Sequence, residues 1–347
     1  MHDKVRFGTI GAGMIAGVHA EALKQIPAAE LVAVCDCAQD KARAFAAKHS
    51  CQSVATLEEL LASGVEAVTV ATPSGMHHEA VLAAARAGKH ILCEKPLEIT
   101  PKRITEMVEA CESAGILLAA VFPSRFCRAA ETIADALQAG RFGKPTLISA
   151  SIRWYREPSY YLNAAWRVTW ELDGGGALMN QGIHTIDLLT WFGGAVRRVC
   201  GRCANILHTD IAVEDTAAAT IEFASGALGV VEAGTSCFPG WARRVEVSGT
   251  HGSAMLEDDR IVRWEFAAEL PKDEWIRTEL AKGEALQGGS STPQGISCEG
   301  HRRQLAELID AIRIGTPLRI PGRDAQEAVR LISAIYKSHQ TEQSIEL

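Results

Sequence analysis

Two apolar rhythms along the chain, and one glycine-rich turn, predict an α/β domain followed by an α+β domain built on mainly antiparallel sheet. Residues 1–122 alternate short, continuous apolar runs with helical text. Parallel strands joined by crossover helices read this way, because such strands are covered on both faces. The runs are Val5 to Ile10, Leu31 to Cys35, Ala67 to Ala71, His90 to Cys93 and Ile116 to Val121. Thr100 before Pro101 caps and opens a helix that Gly115 closes, and Gly88 closes the helix that starts near His77.

Beyond residue 122 the rhythm changes. A helical stretch from Ala129 to Ala139 leads into alternating apolar and polar text at Ala217 to Phe223, Ala227 to Ala233 and Arg243 to Ser248. Ser225-Gly226 and Gly249-Thr250 supply the tight turns between them. Helical stretches at Glu299 to Ile314 and Asp324 to His339 end the chain, and the polar stretch from about Lys272 to Gln294 reads as a loop or excursion. A chain of 347 residues exceeds what one core usually serves. The boundary falls between a first domain of residues 1–122 and a second of residues 123–347.

Composition narrows the function classes. Apolar residues make up 47% and charged residues 22%, the ordinary balance of a globular protein. No apolar run approaches the roughly 20 residues that cross a bilayer. The amino terminus passes from Met1-His2-Asp3-Lys4 straight into strand text, without secretory signal features, which predicts the cytoplasm. A net charge of -7 and no basic run exclude a nucleic-acid partner. Ten cysteines spread through a long chain read as reduced thiols. The pairs Cys35/Cys37 and Cys200/Cys203 lack partner ligands at zinc spacing, so no metal is expected.

Gly11-Ala12-Gly13-Met14-Ile15-Ala16 stands where the first strand turns into the first helix. Gly11 permits a sharp turn, Gly13 lets the backbone approach a pyrophosphate, and Ala16 is small enough for helix and strand to pack. The amides of Met14 and Ile15 at the helix start, with the helix dipole, favour an anion. Asp36, ending the second strand, can accept hydrogen bonds from ribose hydroxyls. Its charge would repel the extra phosphate of NADP, and Cys37 supplies no counter-charge, so NAD is favoured over NADP.

Two further blocks carry a resemblance. One is Ala71-Thr72-Pro73-Ser74-Gly75-Met76-His77-His78 with Gly88-Lys89-His90-Ile91-Leu92-Cys93-Glu94-Lys95-Pro96-Leu97. The other runs Gly174-Gly175-Gly176-Ala177-Leu178-Met179-Asn180-Gln181-Gly182-Ile183-His184-Thr185-Ile186-Asp187. With the glycine turn, these resemble the glucose-fructose oxidoreductase, inositol dehydrogenase and MocA family. The resemblance implies a Rossmann domain and an α+β domain on a large open, predominantly antiparallel sheet, assembled as a homodimer or homotetramer. It also implies an NAD-dependent dehydrogenase acting on a sugar or cyclic polyol. In that reading Thr72, Pro73, His77, Glu94 and Lys95 line the cofactor. Lys95 hydrogen-bonds the reacting hydroxyl, His184 shares the proton, and Asp187 contacts substrate or orients the site.

The chemistry agrees with these roles. Oxidising a secondary alcohol removes a hydride and a proton, so a base must reach the hydroxyl. Burial and a positive nicotinamide would lower the pKa of a lysine enough to serve. His184 and Asp187, three apart on a helix, share a face. Inositol dehydrogenases of the family carry an aspartate four residues before this histidine, where the chain has Asn180. An amide takes no proton, so Asn180 is left to hold a substrate hydroxyl or orient the lysine.

Three of the seven tryptophans and three of the four tyrosines lie between Trp154 and Trp170, with Arg153, Arg156 and Arg167. Flat rings suit the C–H faces of a pyranose and arginines suit its oxygens, so Arg153, Tyr155, Trp166 and Arg167 are substrate-side candidates. An arm at an oligomer interface has the same composition. Arg125 is placed to face the cleft or to form a domain-junction ion pair. Two other functions remain open: sugar cleavage through transient oxidation without net NADH, and a non-catalytic NAD-binding regulator.

Overall fold

The computed structural model describes residues 4–162, 168–283 and 297–347. Two compact units emerge: Met1–Pro123 with Ser297–Gln326, and Ser124–Ile296 with Glu327–Leu347.

The first unit begins β1 (Val5–Ile10), α1 (Met14–Lys24), β2 (Ala29–Cys35), α2 (Gln39–His49), β3 (Gln52–Val54) and α3 (Leu57–Ala62). It continues β4 (Ala67–Val70), α4 (His77–Arg86), β5 (His90–Cys93), α5 (Pro101–Ser113) and β6 (Leu118–Ala120). All pairings are parallel, in the order β3-β2-β1-β4-β5-β6, the arrangement of a dinucleotide-binding Rossmann sheet. Both faces are covered, and β4 is buried at every position. Helix punctuation follows the sequence: the Thr100 hydroxyl accepts the Arg103 amide at 3.4 Å, Pro101 opens α5, and Gly88 and Gly115 take positive φ.

The second unit carries α6 (Arg128–Gln138), β7 (Pro145–Arg153), α7 (Ser159–Leu162), α8 (Ile183–Gly193), β8 (Val196–Ala204), β9 (Thr216–Phe223) and β10 (Leu228–Gly234). It goes on through β11 (Arg244–Gly249), β12 (Gly252–Glu257), β13 (Arg260–Phe266) and α9 (Asp273–Glu279). The last elements of the chain are α10 (Glu299–Ile314), α11 (Gly322–Thr341) and β14 (Ile345–Glu346). The sheet order is β13-β12-β11-β7-β10-β9-β8-β14, antiparallel except for β7 beside β10. One face of β7 is buried through Ile148, Ala150 and Ile152, and α8 packs against this strand. Leu147 and Leu228, paired in register, are exposed on the other face.

Within the stretch expected to be a loop, Asp273–Glu279 forms α9. A helix this short depends on tertiary contacts rather than on its own propensity. The Asp273 carboxylate accepts from Arg141 at 2.7 and 2.8 Å and from the Trp264 indole at 2.8 Å, while Ile276 is buried. Arg141 lies over the Phe266 ring and, through its hydrogen bonds, holds the Asp273 carboxyl well below the usual carboxylate range. Residues 284–294 of that stretch lie outside the described residues.

Helix α10 belongs to the first unit. Leu305, Leu308 and Ile309 join one core with Phe7, Leu23, Leu92 and Val121. Leu308 is fully buried, and large-to-small changes at such sites typically cost about 2–5 kcal/mol. Leu308→Ala is therefore expected to lower the unfolding free energy by about that amount in urea titration. A loss below about 1 kcal/mol would show that α10 does not complete this core.

Candidate active site

The β1–α1 turn is shaped by close backbone contact. Gly11 has φ +96°, its amide donates to the Cys35 carbonyl at 2.8 Å, and a Cβ there would lie 2.7 Å from the Ala71 carbonyl oxygen. At Gly13 an added Cβ would meet nothing within 4 Å. No side chain caps the amino end of α1, which leaves the amides of its first turn for another acceptor. Met14 is exposed and Ile15 half-buried, while Ala16 is fully buried against Val34, Phe45 and Ala71. The Asp36 carboxylate accepts from the Ala12 and Ala38 amides, each at 2.8 Å. It thus braces the turn and stands fixed at the end of β2. Open space, uncapped amides and a fixed carboxylate fit the pyrophosphate and ribose of a dinucleotide.

The ends of β4 and β5 lie on the same sheet edge. Thr72 and Pro73 follow β4. His77 is buried between the two loops: Nε2 stands 3.0 Å from the Thr72 carbonyl, and Nδ1 stands 3.0 and 3.3 Å from those of Pro96 and Leu97. Burial lowers its pKa, and those carbonyls oppose the shift only in part. Glu94 is buried directly after β5, with Oε1 2.8 Å from His19 Nε2 and 3.3 Å from His301 Nε2. Its other oxygen, Oε2, accepts the Lys95 amide at 3.1 Å. Lys95 is half-buried and precedes a cis peptide to Pro96. Neither histidine was singled out by sequence. His19 reads as one more inward position of α1, and His301 lies 207 residues from its partner.

In the second unit the glycine triplet has a steric cause. A Cβ on Gly175 would lie 2.1 Å from the Tyr336 hydroxyl, and one on Gly176 would lie 1.8 Å from the Glu214 carbonyl oxygen. The buried Glu214 carboxylate accepts the Gly176 and Leu178 amides at 2.8 Å and the Tyr336 hydroxyl at 2.9 Å. Burial raises its pKa. A π-helical turn, Ala177–Gly182, then leads into α8, which carries half-buried His184 and buried Asp187. Asn180 donates to Asp173 at 2.6 Å, a buried acid that sequence reasoning missed, although it immediately precedes the triplet.

Asp187 and Arg125 form a buried bidentate pair at 2.7 and 2.8 Å, and the guanidinium lies 5.3 Å from the Trp191 ring centre. Arg125 was expected to face the cleft or to form a domain-junction ion pair, and Asp187 to contact substrate or orient the site; the pair they form joins two residues of this unit. Arg153 pairs with Glu232 at the surface, and Tyr155 packs edge-on against Phe238. Arg156, Trp154 and Tyr161 are buried, with Arg156 over Trp154 and the Tyr161 hydroxyl donating to Thr235 at 2.8 Å. Part of the aromatic density is therefore internal packing. Trp166 and Arg167 lie outside the described residues.

Comparison with known proteins agrees with this architecture. Residues 5–122 match the oxidoreductase family with an NAD-binding Rossmann fold, and residues 130–255 match the GFO/IDH/MocA C-terminal domain. The chain is 31% identical to the WlbA dehydrogenase from Bordetella pertussis, solved with NADH and UDP-GlcNAcA. The two superpose with a TM-score of 0.91 over 99% of this chain and 98% of that one. It is 28% identical over 350 residues to myo-inositol 2-dehydrogenase of Thermotoga maritima, covering 99% and 98% of the two chains. It is 33% identical over 245 residues to D-glucoside 3-dehydrogenase of Escherichia coli, covering 65% and 68%.

The placement of Asp36 can be tested directly. Hydrogen bonds to a charged group contribute about 1.5–3 kcal/mol, so Asp36→Ser is expected to reduce any preference for NAD over NADP roughly tenfold or more. An unchanged ratio of their dissociation constants, measured by calorimetry, would contradict the assignment.

Proposed function

Because the chain belongs to the GFO/IDH/MocA oxidoreductase family, we propose that it is an NAD-dependent dehydrogenase acting on a secondary alcohol of a sugar, sugar derivative or cyclic polyol. The observation that carries this reading is the position of Lys95. It follows β5 on the same edge of the parallel sheet as the Gly11 turn and Asp36, and ligands of such sheets lie along that edge. Bound NAD supplies the hydride acceptor.

The chain's own groups manage the rest. Gly11, Gly13 and the amides of Met14 and Ile15 hold the pyrophosphate, and Asp36 holds the ribose and selects NAD over NADP. Thr72, Pro73, His77 and Glu94 shape the loops that flank the cofactor. Lys95 hydrogen-bonds the reacting hydroxyl and takes its proton, and His184 is the second group proposed to handle that proton. Asp187 sits one turn beyond His184, locked by Arg125, and so orients the start of α8. Asn180, braced by Asp173, is left to hold a substrate hydroxyl. Arg153 and Tyr155 complete the substrate side.

A nucleotide-linked hexose is the first substrate to test, given the full-length similarity to WlbA. Inositols and simple glucosides follow from the other relatives. We place the enzyme in the cytoplasm, in keeping with ten free thiols. A homodimer or homotetramer would bury the exposed sheet face that carries Leu147 and Leu228.

A screen of UDP-GlcNAcA, myo-inositol and methyl glucoside with NAD is read as NADH absorbance. Steady NADH production supports the dehydrogenase. Glycoside cleavage without NADH would mark the transient-oxidation route, and binding of NAD with no turnover would mark a regulator. General acid–base help is typically about 10²- to 10⁴-fold, so Lys95→Ala is expected to lose at least a hundredfold in kcat while keeping NAD affinity. Activity within about tenfold of wild type would remove Lys95 from the proton path.

A further inference from the structure

The buried cluster His19, Glu94 and His301 joins three segments of the first unit: α1, which starts at the dinucleotide turn, the end of β5, and α10 near the end of the chain. All three side chains are almost completely buried. A carboxylate in such a place is strongly disfavoured unless hydrogen-bonded or paired. Here two imidazole Nε2 atoms converge on Glu94 Oε1, at 2.8 and 3.3 Å, and Oε2 accepts the main-chain N–H of Lys95 at 3.1 Å. Burial would raise the Glu94 pKa, yet hydrogen bonds from both histidines hold the carboxyl well below its ordinary range. Burial lowers the pKa of His19 against the opposing pull of Glu94, and a carboxylate can only accept, so the Nε2 that faces it carries the proton.

Two histidines and a glutamate also make a ligand set of the zinc type, and their ligand atoms lie within 4.8 Å of one another. Two features favour hydrogen bonds over a metal. Each Nε2 already stands at N–H···O distance from one shared oxygen. A metal-bound imidazole normally donates its other N–H outward, whereas His19 Nδ1 and His301 Nδ1 meet no hydrogen-bond partner among the described residues.

We propose that His19 and His301 are positioning residues for Lys95: by fixing the Glu94 carboxylate they fix the main chain from which the lysine reaches its substrate. This rests on the reading of Lys95 as the proton-handling group. It makes α10, far from Lys95 in sequence, part of the machinery that sets turnover.

The test uses the full chain with NAD and UDP-GlcNAcA or myo-inositol, whichever gives the larger NADH signal. His301→Leu is expected to lower kcat about tenfold or more while KM and NAD affinity change less than about threefold. His301→Gln, whose amide can donate in place of Nε2–H, is expected to recover kcat to within about threefold of wild type. Deuterium exchange at the Lys95 amide gives a readout that needs no substrate: faster in His301→Leu, restored in His301→Gln. If the leucine variant does not fold, Glu94→Gln with His301→Leu buries no charge and is read the same way.

A leucine variant with wild-type kcat and wild-type exchange would overturn the proposal. So would equal losses with leucine and glutamine, or one zinc per purified chain whose removal abolishes activity. Lys95→Ala serves as the control. If it is inactive while His301→Leu is normal, only this inference fails; if it is active, the functional reading fails with it.

Discussion

A parallel sheet brings the carboxyl ends of all its strands to one edge, and the chemistry of the first unit depends on that constraint. Gly11 follows β1, Asp36 follows β2, Thr72 follows β4, and Glu94 with Lys95 follows β5. No long loop is needed to assemble them. The approach of Gly11 to the Ala71 carbonyl, at a distance no side chain would tolerate, draws the ends of β1 and β4 together. Asp36 then locks the turn through the Ala12 amide while its position at the strand end suits a ribose.

Buried carboxylates do the corresponding work elsewhere. Glu94 fixes the main chain before Lys95, Glu214 fixes the glycine triplet that leads toward Asn180, and Asp187 is fixed in turn by Arg125 one helical turn beyond His184. Each anion is satisfied by several donors, so each acts as a rigid support rather than a labile charge. Burial pushes the Glu214 carboxyl up, and its donors offset that shift only in part. The residues nearest the proposed chemistry are thus held from behind by charges with fixed partners.

What the sequence revealed was local. The Gly11 turn, Asp36, the cap at Thr100 with Pro101, and the change of rhythm past residue 122 each follow from neighbours a few positions apart. The Rossmann sheet and the mainly antiparallel sheet were both legible for that reason. What it hid was long-range. His301 acquires meaning only beside Glu94, Tyr336 only beside Gly175, and Asp273 only beside Arg141 and Trp264. Helix α9 was missed because its stability comes from those contacts. The tryptophans and tyrosines after Trp154 suggested a sugar platform, yet Trp154 and Tyr161 are spent on packing within their own unit.

A crystal structure of the chain with NAD decides whether a dinucleotide lies along the carboxyl edge of the first sheet. The pyrophosphate is expected at the amino end of α1 above Gly13, the adenosine ribose hydroxyls on Asp36, and the nicotinamide beside Lys95. Density for NAD away from the β1–α1 turn, or a ribose that makes no contact with Asp36, would contradict this placement.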